Sequence, residues 1–103
     1  MFQINGETWL IKITNYNSSV FRMPNGKYTV GVCDDKIKTI YLSNRLKGSL
    51  LKKVLCHELV HAAMFSYNVE LDYEQEELIA NLIATYGEEI IQKTNEIFRR
   101  LHK

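Results

Sequence analysis

The chain has 103 residues, 46% of them hydrophobic, which is enough for one core and too few for a separate substrate-binding domain, so a single domain over residues 1–103 is expected. Thirteen Lys and Arg face 12 Asp and Glu for a formal net charge of +1, and no global field draws nucleic acid or an anionic membrane. The opening Met-Phe-Gln-Ile-Asn-Gly lacks a basic segment leading into an apolar one, no apolar run approaches the ~18 residues of a membrane span, and Cys33 and Cys56 are too few for a disulfide framework. The expectation is a soluble, cytoplasmic protein without a nucleic-acid or membrane partner; the oligomeric state is open.

The first 42 residues read as strands and tight turns. Asn5-Gly6 is a strong two-residue hairpin signal, and Trp9, Ile11 and Ile13 alternate with Leu10, Lys12 and Thr14 in a strand near residues 7–14. Met23-Pro24-Asn25-Gly26 is a second turn, after which Tyr28, Val30 and Val32 alternate with Thr29 and Gly31. Asp34-Asp35 then turns the chain into Ile37-Lys38-Thr39-Ile40-Tyr41-Leu42. These segments predict a small, mainly antiparallel sheet.

From Ser43 onward the period becomes helical. Leu50, Leu51, Val54, Leu55, Leu59, Ala62 and Phe65 recur at three-to-four spacing, which predicts an amphipathic helix of roughly 15 residues with Ser49 as its N-cap. Asp72 and Gln75 fit a capping box for a second helix starting near Tyr73, continued by Leu78, Ile79, Leu82, Ile83 and Tyr86. Gly87 marks a kink or a stop before Ile90, Ile91, Thr94, Ile97, Phe98 and Leu101 resume the pattern. The expected fold class is α+β: the sheet packed against the first helix and a C-terminal helix or kinked helix pair.

The first helix carries His57-Glu58-Leu59-Val60-His61. Positions i and i+4 lie one turn apart on one helix face, so both imidazoles reach one ion, and Glu58 sits about 100° beside them. Three fixed positions arise by chance in a chain of this length only on the order of a few times per thousand. A metal held by three protein ligands with one open position lowers the pKa of its bound water to about 7, and Glu58 is placed to take that proton. Zinc is the expected cofactor, bound by His57 and His61, with Glu58 catalytic.

A third ligand must come from elsewhere. His102 lies in a basic C-terminal segment with no second ligand near it. Glu74, Glu76 and Glu77 open the second helix, where acids also stabilise the helix dipole by about 0.3–1 kcal/mol each. Glu77, Asn81 and Ala84 share a stripe, so Glu77 is the first choice, Glu76 the runner-up 100° away, and Asn81 a hydrogen-bonding partner for a ligating imidazole. Cys56 points about 100° from His57 and reads as a small apolar residue; Cys33 is a minor ligand candidate on a strand.

His57-Glu58-Leu59-Val60-His61 followed by Glu77-Leu78-Ile79-Ala80-Asn81-Leu82-Ile83-Ala84 resembles the gluzincin pattern HExxH...ExxA(N/D)xxA, most of all the small ImmA/IrrE-type metallopeptidases of phages and mobile elements. The resemblance covers about residues 37–91. It implies a minimal zincin-like fold, zinc on His57, His61 and Glu77, Glu58 as general acid/base, and a peptide or protein substrate. It also implies that the strand before the motif helix, Thr39 to Ser43, borders the cleft and pairs with an extended peptide through a free edge. No Tyr or His aligns with the oxyanion-stabilising residue of larger gluzincins; Tyr67, Tyr73 and Tyr86 are the available side chains, each as well explained by packing.

Two other readings stand beside this one. A SprT-like protease needs a downstream His as third ligand. A non-catalytic zinc-containing binding or adaptor protein uses the exposed edge strand to recruit a partner, but has no use for Glu58. Nucleic-acid binding by Lys36, Lys38, Lys52, Lys53, Arg99, Arg100 and Lys103 is the weakest, because these charges are scattered among acids.

Overall fold

A computed structural model describes residues 1–102; Lys103, one of the scattered cations, lies outside the described residues. Four strands, β1 (Phe2–Ile4), β2 (Glu7–Thr14), β3 (Gly31–Asp34) and β4 (Thr39–Ser43), precede the helices α1 (Gly48–Ser66), α2 (Tyr73–Leu82) and α3 (Glu88–Leu101). The class is α+β, as the change of period from two to about 3.6 predicts.

Asn5 (φ 49) and Gly6 (φ 78) both occupy the left-handed region, the backbone that a two-residue hairpin turn demands, and they fold β1 antiparallel onto β2. The sheet order is β1-β2-β4-β3. β3 pairs antiparallel with β4, whereas β2 pairs with β4 in parallel, Leu10 opposite Thr39 through Thr14 opposite Ser43. Side-chain alternation is identical in the two senses, so the parallel pair was not legible in the pattern. A parallel neighbour needs a long crossover, and the segment between Thr14 and Thr39, containing a 3-10 turn at Ser19–Phe21, supplies it.

Strand periodicity overstated the second strand. Tyr28 forms only an isolated bridge with Arg22, and the turn between them closes on itself through Met23 N–H to Lys27 C=O at 2.7 Å. Regular pairing begins at Gly31. Ile37 likewise falls in the turn before β4 rather than in the strand.

The core is Trp9, Ile40, Leu42, Leu46 and Ala62, joined by Leu51, Val54, Leu55 and Leu59 from α1. Trp9 Nε1–H donates to Ser66 Oγ at 2.9 Å and Asn5 Nδ2–H to Ser66 C=O at 3.0 Å. These bonds fasten the first hairpin to the end of α1 and satisfy the polar atoms that burial of Trp9 strands. α1 touches the sheet as well as α2.

α1 begins at Gly48, one residue before the expected N-cap, and Lys47 precedes it without a side-chain cap. Gly48 has φ 57, a conformation that favours glycine and lets the chain swing into the helix without Ser49 capping it. For α2 the capping box forms as expected: Gln75 N–H donates to Asp72 Oδ1 at 2.8 Å, and Asp72 N–H to Gln75 Oε1 at 3.3 Å. Gly87 neither stops nor caps a helix; it closes a π turn, Ile83–Gly87, that joins α2 to α3.

Candidate metal centre

α1 and α2 bring His57, His61 and Glu77 together, and their ligand atoms all lie within 4.8 Å of one another. His61 Nε2 stands 2.7 Å from Glu77 Oε1, His57 Nε2 stands 3.4 Å from Glu77 Oε2, and the two Nε2 atoms are 3.1 Å apart. A tetrahedral zinc at 2.0–2.1 Å from each ligand sets its ligands about 3.3 Å apart. The observed spacings bracket that value. Two imidazole nitrogens and a carboxylate whose lone pairs converge repel one another unless a cation or proton stands between them, so the donor set fits a divalent metal in both chemistry and dimensions.

Glu76 and Glu77 both contact His61, at opposite ring nitrogens, and it is Glu77 that falls in the group able to hold a metal. His61 Nδ1 stands 2.6 Å from Glu76 Oε1, so with a cation held by the triad Nδ1–H would donate to Glu76 and Nε2 would turn its lone pair to the ion. A carboxylate on the far nitrogen sets the tautomer and orientation of a ligating ring and raises its basicity. Consecutive residues 100° apart on α2 straddle the two ends of one imidazole. Asn81 does not take the role expected of it: it is exposed and among the described residues makes no hydrogen bond to either imidazole. One turn along α2 the buried position is Ala80, so the Asn81 amide turns to solvent and Glu76 orients the ring instead.

Glu58 is buried and lines the same cleft as His57, His61, Glu76 and Glu77, a cavity of about 680 Å³. Among the described residues its carboxylate has no hydrogen-bond or ion-pair partner. Burial pushes its pKa above the ordinary carboxylate value; the charges of His57 and His61 act in the opposite direction and Glu77 adds to the rise. An unpaired carboxylate with strengthened proton affinity beside a metal-binding triad is suited to move a proton.

β3 runs close beside it. A Cβ built on Gly31 would meet Val54 Cγ1 at 2.8 Å and Glu58 Oε2 at 3.1 Å, so only glycine lets the strand approach α1 here. An isolated Gly in a strand pattern signals such an approach, and Gly31 was readable in that sense. The strand expected at the cleft through a free edge, Thr39–Ser43, has none: β4 is paired on one side with β2 and on the other with β3. A central strand is the outcome of the parallel pairing. The sheet ends in β1 on one side and β3 on the other, and the edge strand at the cleft is β3. Because Ser43 N–H bonds Val30 C=O at 2.9 Å, the alternation of an antiparallel ladder directs Val32 and Asp34 toward β4 and the backbone groups of Gly31 and Cys33 outward.

Cys33 lies on β3 in the cleft wall outside the ligand triad. Burial, reinforced by Glu58 and nearby acids, pushes its thiol up to about 12. Cys56 is a free, half-buried thiol of α1. Of the three tyrosines, Tyr73 lines the cleft, whereas Tyr67 and Tyr86 do not. Glu74 is exposed in the first turn of α2, and His102 stacks on Phe98 at the far end of α3, ring centroids 5.0 Å apart.

Among the described cations, Lys38 pairs with Glu7 and Lys52 with Glu88. Among the described residues no helix is long and apolar enough to cross a membrane. Comparison with protein-family models, curated proteins and solved structures finds no match for this chain.

Proposed function

We propose that this chain is a zinc-dependent metallopeptidase of the ImmA/IrrE kind that its motif resembles, acting on peptides or proteins in the cytoplasm. The observation that carries the reading is the convergence of His57 Nε2, His61 Nε2 and Glu77 beside an unpaired, buried Glu58 in one open cleft. A structural metal site has no use for such a base and fills its fourth position with protein. Zinc bound by the triad supplies Lewis acidity and a water of lowered pKa.

The chain's own residues do the remaining work. The outward backbone groups of Gly31 and Cys33 pair with an extended peptide and hold its scissile bond along the cleft. Met64, Phe65 and Val69 line the cleft and offer an apolar seat for a substrate side chain. Glu58 accepts a proton from the attacking water as its oxygen bonds to the carbonyl carbon, then returns that proton to the amine nitrogen as the C–N bond breaks. Glu76 keeps the His61 ring in place throughout.

The SprT-like alternative lacks its ligand, since His102 sits at the end of α3 away from the triad. The adaptor alternative shares the β3 edge, but leaves Glu58 without a purpose. Zinc content and peptide hydrolysis measured on one purified sample test the proposal. The expected result is close to one zinc per chain, hydrolysis by the wild type, and zinc without hydrolysis in Glu58→Gln. Zinc at full occupancy with no cleavage across a broad peptide library would transfer the reading to the adaptor.

A further inference from the structure

We propose that α3 is a dimerisation helix, whose apolar face is covered by α3 of a second copy of this chain. The helix packs on the π turn that leads into it, an exposed ion pair between Lys52 and Glu88 ties its first turn to α1, and none of its residues is buried. The molecule accordingly measures 54 × 29 × 28 Å, with α3 accounting for about 21 Å of chain at 1.5 Å per residue. Ile90, Ile91, Ile97, Phe98 and Leu101 nonetheless form one stripe with Thr94 at the centre, and these five are between 51% and 79% exposed.

Two arguments say that the stripe is covered in solution. α3 continues the helical run of α2 through the π turn, but its outer turns, with Ile90, Ile91, Thr94 and Ile97 β-branched and no side chain buried, draw little from the tertiary packing that supplies most helical stability in proteins. The five side chains also expose, at roughly 100 Å² each, on the order of 500 Å² of apolar surface, near the upper size of patches on monomers. Tyr86 and Leu82 extend it, at 53% and 50% exposed.

Area and charge both favour a second copy as the occupant. Two such faces stacked remove on the order of 1,000 Å², which reaches the lower bound for a specific interface. Glu88, Glu89 and Glu96 balance Lys93, Arg99 and Arg100 on α3, so two copies meet without net repulsion. The same neutrality disfavours an anionic membrane, which needs an excess of Lys and Arg on the polar face.

Sedimentation velocity of the full chain between about 1 and 100 μM tests this. The expected mass is twice the 12.0 kDa of one chain at the upper end, and one chain for Ile91→Glu and Phe98→Glu. Both variants should keep the zinc-binding stoichiometry of the wild type, because neither side chain touches the core or the triad; that readout separates loss of dimer from loss of fold. A wild-type chain that remains a monomer at 100 μM, or a dimer unaffected by both apolar variants, overturns the proposal, as does a monomer that instead co-sediments with phosphatidylserine vesicles.

Discussion

His61 carries the most chemistry per atom in this chain, because its two ring nitrogens serve different carboxylates. Glu77 shares the convergent point with His57, and Glu76 orients the ring from behind. Glu77→Ala should therefore abolish measurable zinc binding in competition with a chelator, while Glu76→Ala should weaken it about 10–100-fold; Asn81→Ala, at an exposed position, should leave it unchanged. Equal losses for the two glutamates would contradict the division of roles. Glu58 makes a separate prediction. Its pKa is raised in the folded, metal-free chain, so the native state holds that proton more tightly than the unfolded state does. The resulting stability is fully present below the ordinary carboxylate value and is lost as pH rises through the raised one. Glu58→Gln removes the charge that must be buried, so the metal-free variant should be more stable than wild type near neutrality and should show a flatter pH dependence in denaturant titrations. A steeper dependence would reverse the sign of the argument.

At the scale of elements, two features place the site. The Asp72–Gln75 capping box sets where α2 starts and hence which acids face α1. Asp72→Ala should cost about 1 kcal/mol in denaturant unfolding and also lower zinc affinity, since the cap lies one turn from Glu76. The second feature is the approach of β3 to α1 at Gly31. Gly31→Ala should destabilise by about 1–3 kcal/mol through overpacking, and Val54→Ala in the same chain should recover part of that loss, because Val54 Cγ1 is the atom in the way. Additive effects in that double variant would show that the two residues are not in contact.

For the whole molecule, the metal is the expected link between the sheet-and-α1 unit and α2. Few buried side chains belong to α2, Ala80 alone being fully enclosed, so bridging by His57, His61 and Glu77 should supply much of its docking. Zinc at about a thousand times its Kd stabilises the native state by about 4 kcal/mol, which for a domain of this size corresponds to a melting point higher by more than about 10 °C. Removing zinc with a chelator should lower the melting temperature by that order, and His57→Ala should be insensitive to the chelator.

The sequence by itself determined what depends on neighbours along the chain. The HExxH spacing puts two imidazoles on one helical face whatever surrounds the helix, Asn5-Gly6 accepts a turn that other pairs resist, and Asp72 with Gln75 caps α2 through bonds three residues apart. Only the tertiary structure decided what depends on distant segments. Parallel and antiparallel partners bury the same alternate side chains, so the pairing of β2 with β4, which moves the free edge from Thr39–Ser43 to Gly31–Asp34, leaves no mark in the pattern. The roles of Glu76, Glu77 and Asn81 were likewise undetermined, because they rest on how far α2 is rotated against α1. That rotation is set by packing between the helices, and a single 100° step separates the carboxylate that joins the candidate metal triad from the one that stands against the far nitrogen of His61.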